Sequence, residues 1–130
     1  MRIDLHIHST ASDGTLTPVE IIEQAAALHL GAIAITDHDS IDGSREALST
    51  GVPPSLGFLT GVEISASPPP SYHRKGSFHI LGYRLDVADR ALNRALTELQ
   101  AARKQTLMKE QEYQDAFSDY YPSINAFGSY

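Results

Sequence analysis

Four short apolar runs in this chain each contain or end on a histidine or an acid, and nothing else in the sequence constrains its fold as tightly. Arg2 to His6 leads into His6-Ile7-His8-Ser9-Thr10-Ala11-Ser12-Asp13. Ala32-Ile33-Ala34-Ile35 leads into Thr36-Asp37-His38-Asp39, Leu59-Thr60-Gly61-Val62 ends on Glu63, and His79 sits inside Phe78-His79-Ile80-Leu81-Gly82-Tyr83. Each run is β-prone and of strand length. In α/β proteins built from parallel strands, ligands gather at the carboxyl ends of those strands, so the pattern predicts an α/β fold with a site along one rim of the sheet. Alternate residues on a strand point the same way. His6 and His8 therefore aim two imidazoles at one point, the start of a metal site.

The segments between these runs read as helices and loops. Ser9 to Leu16 is a loop carrying the turn pair Asp13-Gly14. Thr17-Pro18-Val19-Glu20 supplies an N-cap, a first-turn proline and a capping-box glutamate. The helix that follows is expected to bury Ile22, Ala25, Ala26 and His29 and to stop at Gly31, which makes His29 structural. Gly31 to Thr36 is a strand buried on both faces. A second helix is expected over Gly43 to Ser49, capped by Ser40 or Asp42, then a loop over Gly51 to Pro54 and a third strand over Leu56 to Ile64. The triple proline of Ser67-Pro68-Pro69-Pro70-Ser71 offers no ladder donors. The segment to Gly76 is thus a surface loop, and His73 within it a poor candidate ligand. Ser77 to Leu85 is a fourth strand. Asp86 or Asp89 then caps a helix through Leu92, Ala95, Leu96, Leu99 and Ala102. The order is β-α-β-α-β-β-α, with no internal repeat. Beyond Tyr113, aromatic residues sit among Ser, Asp, Asn and Gly without a period.

At 130 residues with 42% hydrophobic and 20% charged content, one domain is expected. A net charge of -6 and a pI near 5.4 argue against a nonspecific grip on nucleic acid. A polyanionic substrate would need bound cations beside the acids. With no cysteine, metal donors are imidazole and carboxylate, which suit Mn, Zn or Fe, with Mg as a further choice. No run approaches a membrane span and the N-terminus lacks a signal-peptide core, so a cytoplasmic protein is the expectation.

In their order along the chain, His6 to Gly14, Ile35 to Asp39, Gly61 to Ser65 and His79 to Tyr83 closely resemble the polymerase-and-histidinol-phosphatase (PHP) family of metal-dependent phosphoesterases. The resemblance covers Met1 to about Arg103. Within the family it is nearest to the stand-alone phosphoesterases acting on nucleoside 3',5'-bisphosphates and short RNA 5' ends. It implies the N-terminal part of a distorted (β/α)7 PHP barrel, with ligands to two or three divalent ions at the C-terminal ends of its strands. Those ligands would be His6, His8, Asp13, His38, Glu63 and His79, with Glu63 a bridge and with Asp13, His38 and Glu63 at the centre of catalysis. Asp37 is implied to orient His38. Arg103 matches an arginine that meets substrate phosphate, and its expected partner one turn later is Thr106 here.

The resemblance further implies a partial PHP domain over residues 1–112 and an aromatic-rich tail over 113–130. Family members continue much further, to another histidine and an Asp-x-His, whereas here no histidine follows His79. The expected activity is hydrolysis of nucleotide phosphate monoesters by water activated at the metals. Ser9, Ser12 and Ser40 read as turn and capping residues rather than nucleophiles. The alternative is a truncated, weakly active or inactive metal-binding PHP module that is a fragment of a longer protein. A half barrel leaves an edge strand uncovered, and self-association as a homo-oligomer is the expected cover.

Overall fold

The computed structural model describes residues 1–67, 69 and 78–120. It contains strands β1 (Ile3–Ile7), β2 (Ala32–Ile35), β3 (Gly57–Ala66) and β4 (Phe78–Tyr83), and helices α1 (Pro18–Ala27), α2 (Asp42–Thr50) and α3 (Arg90–Tyr120). The chain divides into two compact units, Met1–Leu96 and Thr97–Tyr130. The first holds the whole sheet. Among the described residues, no helix is long and apolar enough to cross a membrane.

The strands lie in one sheet in the order β1-β2-β3-β4. β1, β2 and β3 are parallel, with Ile3 opposite Ala32 and Ala32 opposite Gly57. β3 outlasts β2: its pairing with β2 stops at Thr60, and Gly61 to Ala66 pair instead with β4. The link from Ala66 to Phe78 is shorter than the dozen or more residues a parallel crossover needs, so β4 returns antiparallel. The sheet is the curled half barrel expected of a partial α/β barrel. One feature departs from that expectation. His79 stands near the start of its strand, and it reaches the rim where β1, β2 and β3 end because β4 runs the other way.

Two apolar clusters hold the helices to the sheet. Ile21, Ile22 and Ala25 of α1 pack with Ile33 and Ile35 of β2, Ala47 of α2 and Leu56. Ile41, Val62 and Leu96 form the second, with Ile64, Leu85, Val87 and Leu92 against them. Area removed from water here is the main stabilising term, at about 25 cal/mol per Å² of apolar surface.

α1 begins as its sequence dictates. Thr17 accepts from the Glu20 amide, the Glu20 carboxylate accepts from the Thr17 amide, and Pro18 fills the first turn. These bonds to Thr17 hold the Glu20 carboxyl below its ordinary value. Its end differs from expectation. His29 is exposed, not part of the buried stripe, and adopts a left-handed conformation at φ 52°. The His29 amide donates to Ala26 O and the Leu30 amide to Ala25 O, both at 3.0 Å. This is a Schellman closure with histidine where glycine is usual. It ends the helix at Ala27, four residues before Gly31.

α2 starts at Asp42, and no side chain caps its N-cap residue Ile41; Ser40 Oγ instead accepts from the Asp42 amide at 3.1 Å. Asp89 caps α3, accepting from the Leu92 amide at 2.8 Å, while Asp86 serves the preceding turn through Ala88. α3 continues well past Ala102. The stretch Lys104 to Asp115 is rich in Lys, Gln, Leu, Met and Glu, which favour helix, and the helix continues to Tyr120. Tyr121, Phe127 and Tyr130 lie outside the described residues, as do His73 and most of the triple-proline loop.

Candidate metal centre

The end of β1 presents the first two imidazoles. His6 and His8 place their ring centroids 5.1 Å apart, despite an irregularity in the β1–β2 register between Asp4 and Ile7. The chain then curls tightly, with the Ser12 and Gly14 amides both donating to Ser9 O. Any side chain at residue 14 would put its Cβ 2.1 Å from the His8 carbonyl oxygen, so the curl requires glycine. It brings Asp13 Oδ1 to 2.7 Å from His8 Nδ1.

The curl is anchored from β2 by Asp37, which is fully buried. Asp37 Oδ1 accepts from the Ser9 amide at 2.6 Å and from the Ser12 hydroxyl at 2.7 Å, and Oδ2 accepts from the Ser9 hydroxyl at 2.7 Å. Gly43, in the first turn of α2, leaves the room: a Cβ there would lie 2.1 Å from Asp37 Oδ2. Asp37 therefore holds the loop that carries Asp13. It does not orient His38 as expected, because its oxygens are taken up by the two serines.

His38 is placed by backbone. It forms a parallel bridge with Glu63, as the Asp39 amide donates to Glu63 O at 2.9 Å and the Glu63 amide to Asp37 O at 3.0 Å. To make this bridge Asp39 adopts a left-handed φ of 53°, and its buried carboxylate accepts from the Ser65 amide at 2.7 Å. An aspartate tolerates that conformation better than most residues.

Glu63 is the meeting point. Its side chain is 6% exposed, and Oε2 lies 2.9 Å from His6 Nε2, 2.7 Å from His8 Nε2 and 3.7 Å from His38 Nε2. Oε1 lies 2.6 Å from His79 Nδ1. Three overlapping groups each bring their ligand atoms within 4.8 Å of one another: His6, His8 and Glu63; His8, Asp13 and His38; His38, Glu63 and His79. All six residues expected to form the site are thus brought together.

These donors fit divalent cations. His8 Nε2, the nitrogen that faces Glu63, is buried without a hydrogen-bond partner among the described residues; its close approach to Glu63 lacks hydrogen-bond alignment. Buried polar atoms are rarely left so. Imidazole lone pairs converging on a carboxylate are what a Zn, Mn or Fe ion would satisfy.

Burial acts to raise the Glu63 carboxyl, but hydrogen bonds from His6 and His79 and attraction to His38 and His6 outweigh it and bring it to about 2. Asp13 is likewise lowered, first by its hydrogen bond from His8, against partial desolvation. Because Glu63 titrates at its ordinary 4.5 when unfolded, its contribution to stability is complete above that pH. It is lost as pH falls through about 2. The metal-free protein is expected to lose about 3 kcal/mol across that window through this group alone. Urea titrations of wild type and Glu63→Gln at several pH values check this, and parallel curves for the two would rule it out.

A PHP domain model matches residues 4–120. The chain belongs to the PHP family. This PHP chain is 41% identical over 102 residues to a 3',5'-nucleoside bisphosphate phosphatase of Chromobacterium violaceum, covering 78% of the chain and 34% of that protein. It is 39% identical over 106 residues to the 5'-3' exoribonuclease Rnm of Salmonella typhimurium, covering 78% of the chain and 33% of the relative. Among solved structures, an amidohydrolase from C. violaceum with bound sulfate and no metal superimposes with a TM-score of 0.70 at 38% identity, over 89% of this chain and 39% of that one. A Bifidobacterium adolescentis protein regarded as a metal-dependent phosphoesterase gives 0.70 at 32% identity, over 88% and 39%. The PHP chain therefore spans about a third of the length of these curated relatives.

Arg103 is exposed on α3 in the second compact unit, and His29 sits at the helix end described above. The residues that sequence reasoning missed are the anchors: Asp37 for its true partners, and Asp39 for its left-handed bridge. The acid-rich turn Thr36-Asp37-His38-Asp39 was the available signal, but it does not say which acid faces which loop.

Proposed function

We propose that this chain carries the metal-binding residues of a metal-dependent PHP phosphoesterase that hydrolyses phosphate monoesters of nucleotides, either nucleoside 3',5'-bisphosphates or short RNA 5' ends. The observation that carries it is the convergence of four histidines on the two oxygens of Glu63. His6, His8, Asp13, His38, Glu63 and His79 would hold two or three divalent ions, with Mn, Zn and Fe preferred and Mg acceptable. Such ions supply an acidified water and positive charge for phosphate oxygens. Glu63 offers Oε2 to the β1 histidines and Oε1 to His79, which suits it to serve two positions at once. Asp13 and His38 border the opening from the other side. Asp37 keeps Asp13 in place. Arg103 is proposed to meet substrate phosphate.

Support for the substrate class comes from relatives that act on bisphosphates and on RNA 5' ends. A second reading, a metal-binding module without turnover, is favoured by the span of about a third of those relatives. Phosphate release from adenosine 3',5'-bisphosphate with added Mn²⁺ is expected, and His8→Ala should abolish it. A metal-loaded chain releasing none would leave only the second reading. Phe78, Ile80 and Leu81 of β4 are all more than a third exposed, which supports self-association over that edge. A monomer by light scattering at micromolar concentration would remove it.

A further inference from the structure

The Leu5–His6 peptide group lies where the β1–β2 register is irregular, between Asp4 and Ile7. Its carbonyl, Leu5 O, accepts from the Tyr83 hydroxyl at 2.8 Å. Its N–H donates to Asp4 Oδ1 at 3.2 Å. Both polar atoms of one peptide plane are thus held by side chains. The orientation of that plane sets the direction of the next Cα–Cβ bond, which is that of His6, and His6 Nε2 ends 2.9 Å from Glu63 Oε2.

Tyr83 comes from the opposite edge of the sheet, 78 residues away in sequence. By strand alternation it shares a face with Leu81 and His79. The strand that carries His79 therefore reaches over the curled sheet and steadies the strand that carries His6.

We infer that Tyr83 and Asp4 are positioning residues that aim His6 at Glu63, an inference that rests on the proposed role of His6 as a metal ligand. Groups that orient a ligating residue are commonly worth about 10–100-fold in metal affinity. Tyr83→Phe keeps the ring and removes only the hydroxyl. It is expected to weaken Mn²⁺ binding, measured calorimetrically, by about 10–100-fold, and to have no further effect in a His6→Ala background. Asp4→Ala should behave as Tyr83→Phe does, whereas Asp4→Asn, which retains the Oδ1 acceptor, should bind close to wild type. In the metal-free protein, nitrogen NMR should show the His6 ring signals moved by Tyr83→Phe and those of His38 unmoved.

Wild-type Mn²⁺ affinity in Tyr83→Phe would overturn the inference, as would an equal loss with and without His6. If wild type itself bound no Mn²⁺, the proposed function would fail. The clamp would then stand or fall on the His6 ring signals, and unchanged signals in Tyr83→Phe would overturn it.

Discussion

Glu63→Ala is expected to strip the chain of bound divalent metal, with affinity for Mn²⁺ reduced by at least about 100-fold, the upper end of what even indirect partners contribute. No other described residue touches so many of the proposed ligands: His6, His8 and His79 lie within 3 Å of its oxygens and His38 within 4 Å. Alanine would remove the negative charge that offsets the cations and would leave those imidazoles facing a void. Glutamine keeps the volume but presents only one acceptor oxygen, so Glu63→Gln should fall between the two. Elemental analysis of purified, dialysed protein checks the series. Metal content in Glu63→Ala equal to that of wild type would remove the basis for the proposed site.

Asp37→Ala should produce the largest loss of stability of any single substitution in the loop region. Three donors, the Ser9 amide and the Ser9 and Ser12 hydroxyls, would lose their acceptor, and Ser9 is as fully buried as Asp37. Each buried donor left unmatched costs about 1–3 kcal/mol. Ser12 is half-buried and can turn to water, so a total of about 3–5 kcal/mol is expected. In a domain of this size that lowers Tm by more than about 10 °C. The released loop should also cost Mn²⁺ affinity in protein that remains folded, since Asp13 would no longer be held near His8. Asp37→Asn restores one oxygen but turns an amide toward a hydroxyl, and should recover part of the stability. A melting curve for Asp37→Ala that overlays wild type would show that the loop does not depend on this residue.

Most of the sheet and the first helix were legible because strand alternation, apolar runs and a capping box are local signals, whereas the choice of the six clustered residues came from the resemblance of four ordered motifs to the PHP family. The strand alternation of His6 and His8, the apolar run before His38 and the Thr17–Glu20 box each act over a few residues. What was not legible depends on partners distant in sequence. Asp37 and Asp39 flank His38 in one turn, yet one serves Ser9 and Ser12 and the other Ser65, and no spacing rule separates them. His29 was assigned to a buried face because it follows the apolar period, but the helix closes through a left-handed residue there. The length of α3 has no such marker either, since the helix continues to Tyr120 beyond its buried stripe. A run of good helix formers can continue without one.

Strands here pair in the order in which they occur along the chain. Such neighbour-to-neighbour growth keeps loop-closure costs low and lets the sheet assemble stepwise. The proposed cation pocket is the exception, since it draws its imidazoles from the earliest strand and the final one alike. Its His79 edge cannot exist until β4 has docked, whereas the groups of His6, His8 and Glu63 and of His8, Asp13 and His38 need only the first three strands, so capture of a first cation during refolding would precede completion of the sheet.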